Sequence, residues 1–111
     1  MGRNKKEPQQ KESVIFPFEF HPEVEIDLII ARDYYESRRP GLGEEFILSF
    51  EAALNYVIRN PYHFSKIFSN TRHTRLKRFP FGIFYIIDVD KIYISGVVHL
   101  SRSPKIWQKR K

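Results

Sequence analysis

The feature that most constrains this chain is an apolar hairpin near its C-terminal end. Phe81 to Asp88 is apolar at almost every position, so both faces of that strand demand cover, as in the centre of a sheet. Asp88-Val89-Asp90-Lys91 supplies a tight turn, and Ile92 to His99 returns as the last strand. Strands joined by so short a turn must be antiparallel. A polar-leaning stretch from His73 to Arg78 precedes the hairpin and reads as a third strand, which makes a meander. A meander with a doubly apolar central strand needs another layer to bury it.

The first half of the chain supplies that layer. Val14 to Phe20 is rich in aromatic and β-branched residues and reads as a strand; Pro17 cannot donate to a ladder, which assigns it to an edge or a bulge. His21-Pro22-Glu23 opens a helix, with Glu23, Glu25 and Asp27 at its positive end. Val24, Leu28, Ala31 and Tyr35 fall on one helical face. Ile26, Ile29, Ile30 and Tyr34 widen the apolar surface beyond that stripe, so this helix is either covered on two sides or meets a partner. Arg39-Pro40-Gly41-Leu42-Gly43 breaks it. A second helix runs from about Glu44 to Arg59, with Phe46, Phe50, Ala53, Leu54 and Val57 inward, Asn60 in a left-handed closing conformation and Pro61 barring continuation. The short break implies an antiparallel helical hairpin. The expected fold is therefore α+β: an N-terminal strand, a helical hairpin, then a three-stranded antiparallel meander, with the helices on one face of the sheet.

Length and composition fit that plan. The 111 residues amount to one domain, read as 14–111, behind a polar tail at 1–13 that lacks any hydrophobic period and is expected to be flexible. Ten Phe and six Tyr provide most of the large core side chains. The chain has no cysteine, which excludes disulfides and thiolate metal sites and agrees with a reducing cytoplasm. No apolar run approaches the ~20 residues that span a bilayer, and the N-terminus has no secretory core. His21, His63, His73 and His99 do not have metal-ligand spacing, so neither metal nor cofactor is expected.

The net charge of +6 favours an anionic partner. Much of it sits in Arg72-His73-Thr74-Arg75-Leu76-Lys77-Arg78, an anion- or partner-binding segment. Strand alternation would put Arg72, Thr74, Leu76 and Arg78 on one side and His73, Arg75, Lys77 and Phe79 on the other. A second polar cluster, His99-Leu100-Ser101-Arg102-Ser103-Pro104, ends the last strand and can converge with the first if the two strands are neighbours. The bland alternative is a solvated strand face and a histidine that caps a strand end. Ser101 lacks a base and acid near it in sequence, and Asp88 and Asp90 read as turn residues. Trp107 is expected to pack over the sheet or a helix end, with a partner contact as the second choice.

Taken together, these pieces resemble the ParE/RelE-like toxins of bacterial type II toxin–antitoxin systems, within the plasmid stabilisation branch. The resemblance rests on order and spacing. It is carried by Ala31-Arg32-Asp33-Tyr34-Tyr35-Glu36, Arg39 to Phe46, Ala53 to Pro61, Arg75 to Tyr85 and His99 to Trp107, and it covers Phe20 to Trp107. It implies a small basic toxin neutralised by a cognate acidic antitoxin, as a homodimer or a toxin–antitoxin hetero-oligomer, in the cytoplasm and away from membranes. Its target would be DNA gyrase, on the ParE side, or ribosome-bound mRNA, on the RelE side; a relic that only binds antitoxin is the third reading. The helical hairpin and the His-Leu-Ser-Arg-Ser-Pro ending favour gyrase.

The nuclease reading needs a base, a cation for the phosphorane-like transition state and an acid. His99 would serve as base or acid, Arg75, Lys77 or Arg78 would hold phosphate, and Arg102 would add a second fork. RelE-like nucleases often carry a tyrosine or a histidine–tyrosine pair near the C-terminal strand. Leu100 follows His99 here, a departure that weakens this alternative.

Overall fold

The computed structural model describes residues 15–101. The expected tail at 1–13, the start of the first strand at Val14, and Arg102 and Trp107 lie outside them. In chain order the elements are β1 (Phe18–Phe20), α1 (Glu23–Arg38), α2 (Leu42–Arg59), β2 (Lys66–Phe68), β3 (Thr71–Arg75), β4 (Phe81–Asp88) and β5 (Lys91–His99). They form one five-stranded sheet in the order β1-β5-β4-β3-β2, with the helical hairpin packed on one face. The fold is the expected α+β arrangement.

β1 is an edge strand, parallel to β5. The strand expected from Val14 to Phe20 is shorter than read, since Ile15 to Pro17 are outside it; Pro17 stands just before the strand and contributes only its carbonyl, which accepts from the Ile92 N–H at 2.9 Å. His21 starts α1 in a way the sequence did not advertise, because its Nδ1 accepts the Glu23 N–H at 3.0 Å. The two helices are joined through Glu36, whose carboxylate accepts the N–H groups of Gly41 and Gly43 at 3.0 and 2.9 Å. Gly41 takes φ +89, and Gly43 brings α2 so near α1 that a Cβ there would sit 2.7 Å from the Arg32 carbonyl oxygen.

The core lies between this hairpin and the sheet. Phe46, Val57, Ile83, Tyr85, Ile92 and Ile94 are completely buried, each worth roughly 1.5–3 kcal/mol of apolar burial. Tyr85 keeps its hydroxyl satisfied by donating to the Pro61 carbonyl at 2.7 Å, and burial pushes its pKa up to about 12. The predicted inner stripe of α1 is confirmed: Val24 and Ala31 are buried, and Leu28 and Tyr35 pack against the core.

Three further local readings change. Asn60 closes α2 without a left-handed backbone (φ −139); its side chain donates to the Tyr56 carbonyl at 3.1 Å instead. The meander has a fourth strand, β2, whose three residues are all exposed and so show no alternation to read. The strand expected over His73–Arg78 ends at Arg75, because Arg78 turns to φ +72 ahead of Pro80. That turn breaks the alternation, and Leu76 and Phe79, expected on opposite sides, both enter the same core.

Candidate functional site

The helical hairpin leaves a cleft on each flank. The first, of about 720 Å³, opens between α1 and the ends of β4 and β5. Ile26, Ile30 and Tyr34 wall one side, Phe81 and His99 the other, and Glu23 and Asp27 bring carboxylates to it. Ile26, Ile29, Ile30 and Tyr34 remain exposed, so of the two alternatives for α1 the structure leaves the outer stripe uncovered. The second, of about 580 Å³, is a groove along α2. Leu48, Ala52 and Tyr56 form its apolar wall, and Arg75, Lys77 and Arg78 bring cations to it.

The basic segment thus divides. Arg75, Lys77 and Arg78 share the α2 groove. Arg78 donates to Glu45 at 2.8 Å, and the same carboxylate receives Arg39 at 3.5 Å. No described carboxylate pairs with Arg75 or Lys77, so both remain available to an anionic partner. Arg72 is committed elsewhere: its guanidinium donates to the Phe64 carbonyl at 2.6 Å and lies 5.4 Å from the centre of the Tyr62 ring. His73 stacks on Phe84 at 5.1 Å between ring centres. Burial, reinforced by the neighbouring Arg75 charge, holds its pKa below the ordinary histidine value, so it carries little charge at neutral pH.

His99 lines the first cleft, not the groove. Its Nδ1 accepts the Ser101 backbone N–H at 3.1 Å, and its ring meets Phe81 edge-on at 5.2 Å; the Ser101 hydroxyl lies 2.8 Å from the same nitrogen, so a base does stand beside Ser101, contrary to the sequence reading. The amide contact places the proton of the neutral ring on Nε2 and caps the chain where β5 ends. The described members of the two polar clusters, His99 and Ser101 of one and Arg75, Lys77 and Arg78 of the other, therefore stand in separate clefts. Among the described residues no group of three His, Asp or Glu side chains is placed to hold a metal ion, and no helix is long and apolar enough to cross a membrane.

Sequence reasoning missed the apolar wall of the groove. Leu48, Ala52 and Tyr56 recur every four residues on the outer side of α2, and that row was its legible signal.

This helical hairpin over an antiparallel meander, with a parallel N-terminal edge strand, is the α+β fold that the resemblance to ParE/RelE-like toxins implied. The model for the ParE toxin of the type II toxin–antitoxin system, parDE, matches residues 18–104, and the chain belongs to that family. Among solved structures, the chromosomal ParDE toxin–antitoxin system from P. aeruginosa is similar with a TM-score of 0.69 and 14% identity, over 79% of this chain and 99% of that one. No curated protein matches the chain in sequence.

Proposed function

We propose that this ParE-family toxin arrests growth in the cytoplasm by binding DNA gyrase, without cleaving a nucleic acid, and that a cognate acidic antitoxin neutralises it. The observation that carries the reading is the separation of His99 from Arg75, Lys77 and Arg78 into two clefts. Metal-independent RNA cleavage needs a proton carrier and a phosphate-holding cation around one reacting phosphate. Here the histidine caps a strand end, and the two unpaired cations flank an apolar groove. A groove of that kind suits a protein segment with an apolar stripe and acidic flanks.

Induced expression in a bacterial host tests the proposal, with growth, total RNA ends and plasmid topology followed together. The expected result is arrest with altered topology and intact mRNA, unchanged in a His99→Ala variant. Arrest with new mRNA ends that His99→Ala abolishes would establish the nuclease instead. No arrest would remove both activities and leave an antitoxin-binding relic.

A further inference from the structure

Helix α1 turns an apolar stripe to solvent. Ile26, Ile30 and Tyr34 are 49%, 62% and 55% exposed, and Ile29 lies beside them, exposed as well. Large apolar side chains exposed in one row mark a contact surface. This stripe is self-complementary. A helix rises about 1.5 Å and turns about 100° per residue, so Ile26 and Tyr34 stand about 6 Å to either side of Ile30 and rotate from it by about 40° in opposite senses. Charges of opposite sign close the two ends. Glu23 stands about 10 Å before Ile30 and Arg38 about 12 Å after it, both rotated to the same side of the stripe. Both are exposed. The Arg38 guanidinium already leans over the Tyr34 ring, 5.6 Å from its centre. Among the described residues no carboxylate pairs with Arg38 and no cation with Glu23.

We propose that a second copy of this chain docks on the stripe, the two α1 helices packed antiparallel about a two-fold axis through Ile30. That axis sets Ile26 of one copy against Tyr34 of the other and brings Glu23 of each copy opposite Arg38 of its mate. The antiparallel arrangement also lays the acidic first turn of each helix beside the basic last turn of the other, with the helix dipoles opposed. Charge favours a second copy over the acidic partner that suits the α2 groove. Glu23 and Asp27 bring carboxylates to the adjoining cleft, and no lysine or arginine lines it, so an acidic segment seated there would meet like charge. One helix face is smaller than the roughly 800 Å² per partner of a standard interface, so the expected dimer is a micromolar one. The α2 groove lies on the other flank of the hairpin and stays open in this dimer.

Sedimentation equilibrium of the full-length protein should show a monomer–dimer equilibrium. Ile30→Glu should weaken it by roughly tenfold or more, with circular dichroism unchanged because residue 30 is exposed. Reversing one charge, in Glu23→Arg or Arg38→Glu, should weaken it several-fold, and combining the two reversals should restore it. The chain has no cysteine, so Ile30→Cys, on the axis, should give a disulfide-linked dimer under mild oxidation. Leu48→Cys, comparably exposed on α2, should not. A protein that stays monomeric at several hundred micromolar would overturn the proposal. So would a dimer that Ile30→Glu leaves intact, or cross-linking of Leu48→Cys as fast as that of Ile30→Cys. Single reversals without effect, or a double reversal no tighter than the single ones, would refute the antiparallel register and the proposal with it.

Discussion

Two titratable side chains show how single residues hold this fold. Glu36 closes the helical hairpin by accepting backbone N–H groups at the positive end of α2, and those hydrogen bonds, from Gly41 and then Gly43, hold its pKa below the ordinary carboxylate value. His73 is held low by burial first and by Arg75 second. For both groups the unfolded chain binds the proton more readily than the folded one. Stability is therefore complete above the unfolded pKa and falls as pH drops through the folded value. Urea midpoints measured from pH 8 to pH 3 should decline in two stages, below about 6.5 for the histidine and below about 4.5 for the glutamate. His73→Gln should flatten the first stage and Glu36→Gln the second. An unchanged profile in Glu36→Gln would show that the carboxylate does not anchor the hairpin.

At the scale of elements, the decisive contact is the crossing of α1 and α2 at Gly43. A methyl group there meets backbone, the Arg32 carbonyl oxygen, which cannot swing aside as a side chain would. Gly43→Ala gains up to about 1 kcal/mol in helix propensity. It costs about 1–3 kcal/mol in forced separation of the helices. The net effect should be a lower urea midpoint, and a raised midpoint would mean that the helices have room to part. The loop from Arg75 to Phe81 is the second decisive element. Its left-handed turn at Arg78 sends Leu76 and Phe79 into the core while leaving Arg75, Lys77 and Arg78 on the groove. Alternation could not anticipate this, because it assumes a strand that the turn interrupts.

For the whole molecule, the basic segment divides between a residue that braces the fold and residues left at the surface, a division its sequence runs together. Arg72 braces the Phe64 carbonyl, and Arg72→Ala should cost about 1 kcal/mol of stability through the loss of that part-buried hydrogen bond. Arg75 and Lys77 lie at the surface, without ion pairs among the described residues. Replacing both with alanine should leave stability within about 0.5 kcal/mol. It should weaken antitoxin binding by roughly tenfold or more, most clearly at low salt. Calorimetric titration beside urea unfolding separates the two effects, and equal losses of stability in both variants would refute the division.

The elements were legible in the sequence because each rests on local physics. The central strand is apolar on both faces, the helices carry apolar residues at helical spacing, and Pro17, Pro40-Gly41 and Asn60-Pro61 mark their limits. The N–H that Pro17 lacks left an edge or a bulge for the first strand, and the sheet places it at an edge. The site was legible only as a list of cations and a histidine. Which of them share a surface depended on long-range packing: the turn at Arg78, the inward commitment of Arg72, and the helical hairpin that parts His99 from the groove. Strand β2, fully exposed, became a strand only by pairing with β3. Local pattern encodes what a segment buries, and tertiary structure alone decides which polar ends meet, because that depends on contacts between residues far apart in the chain.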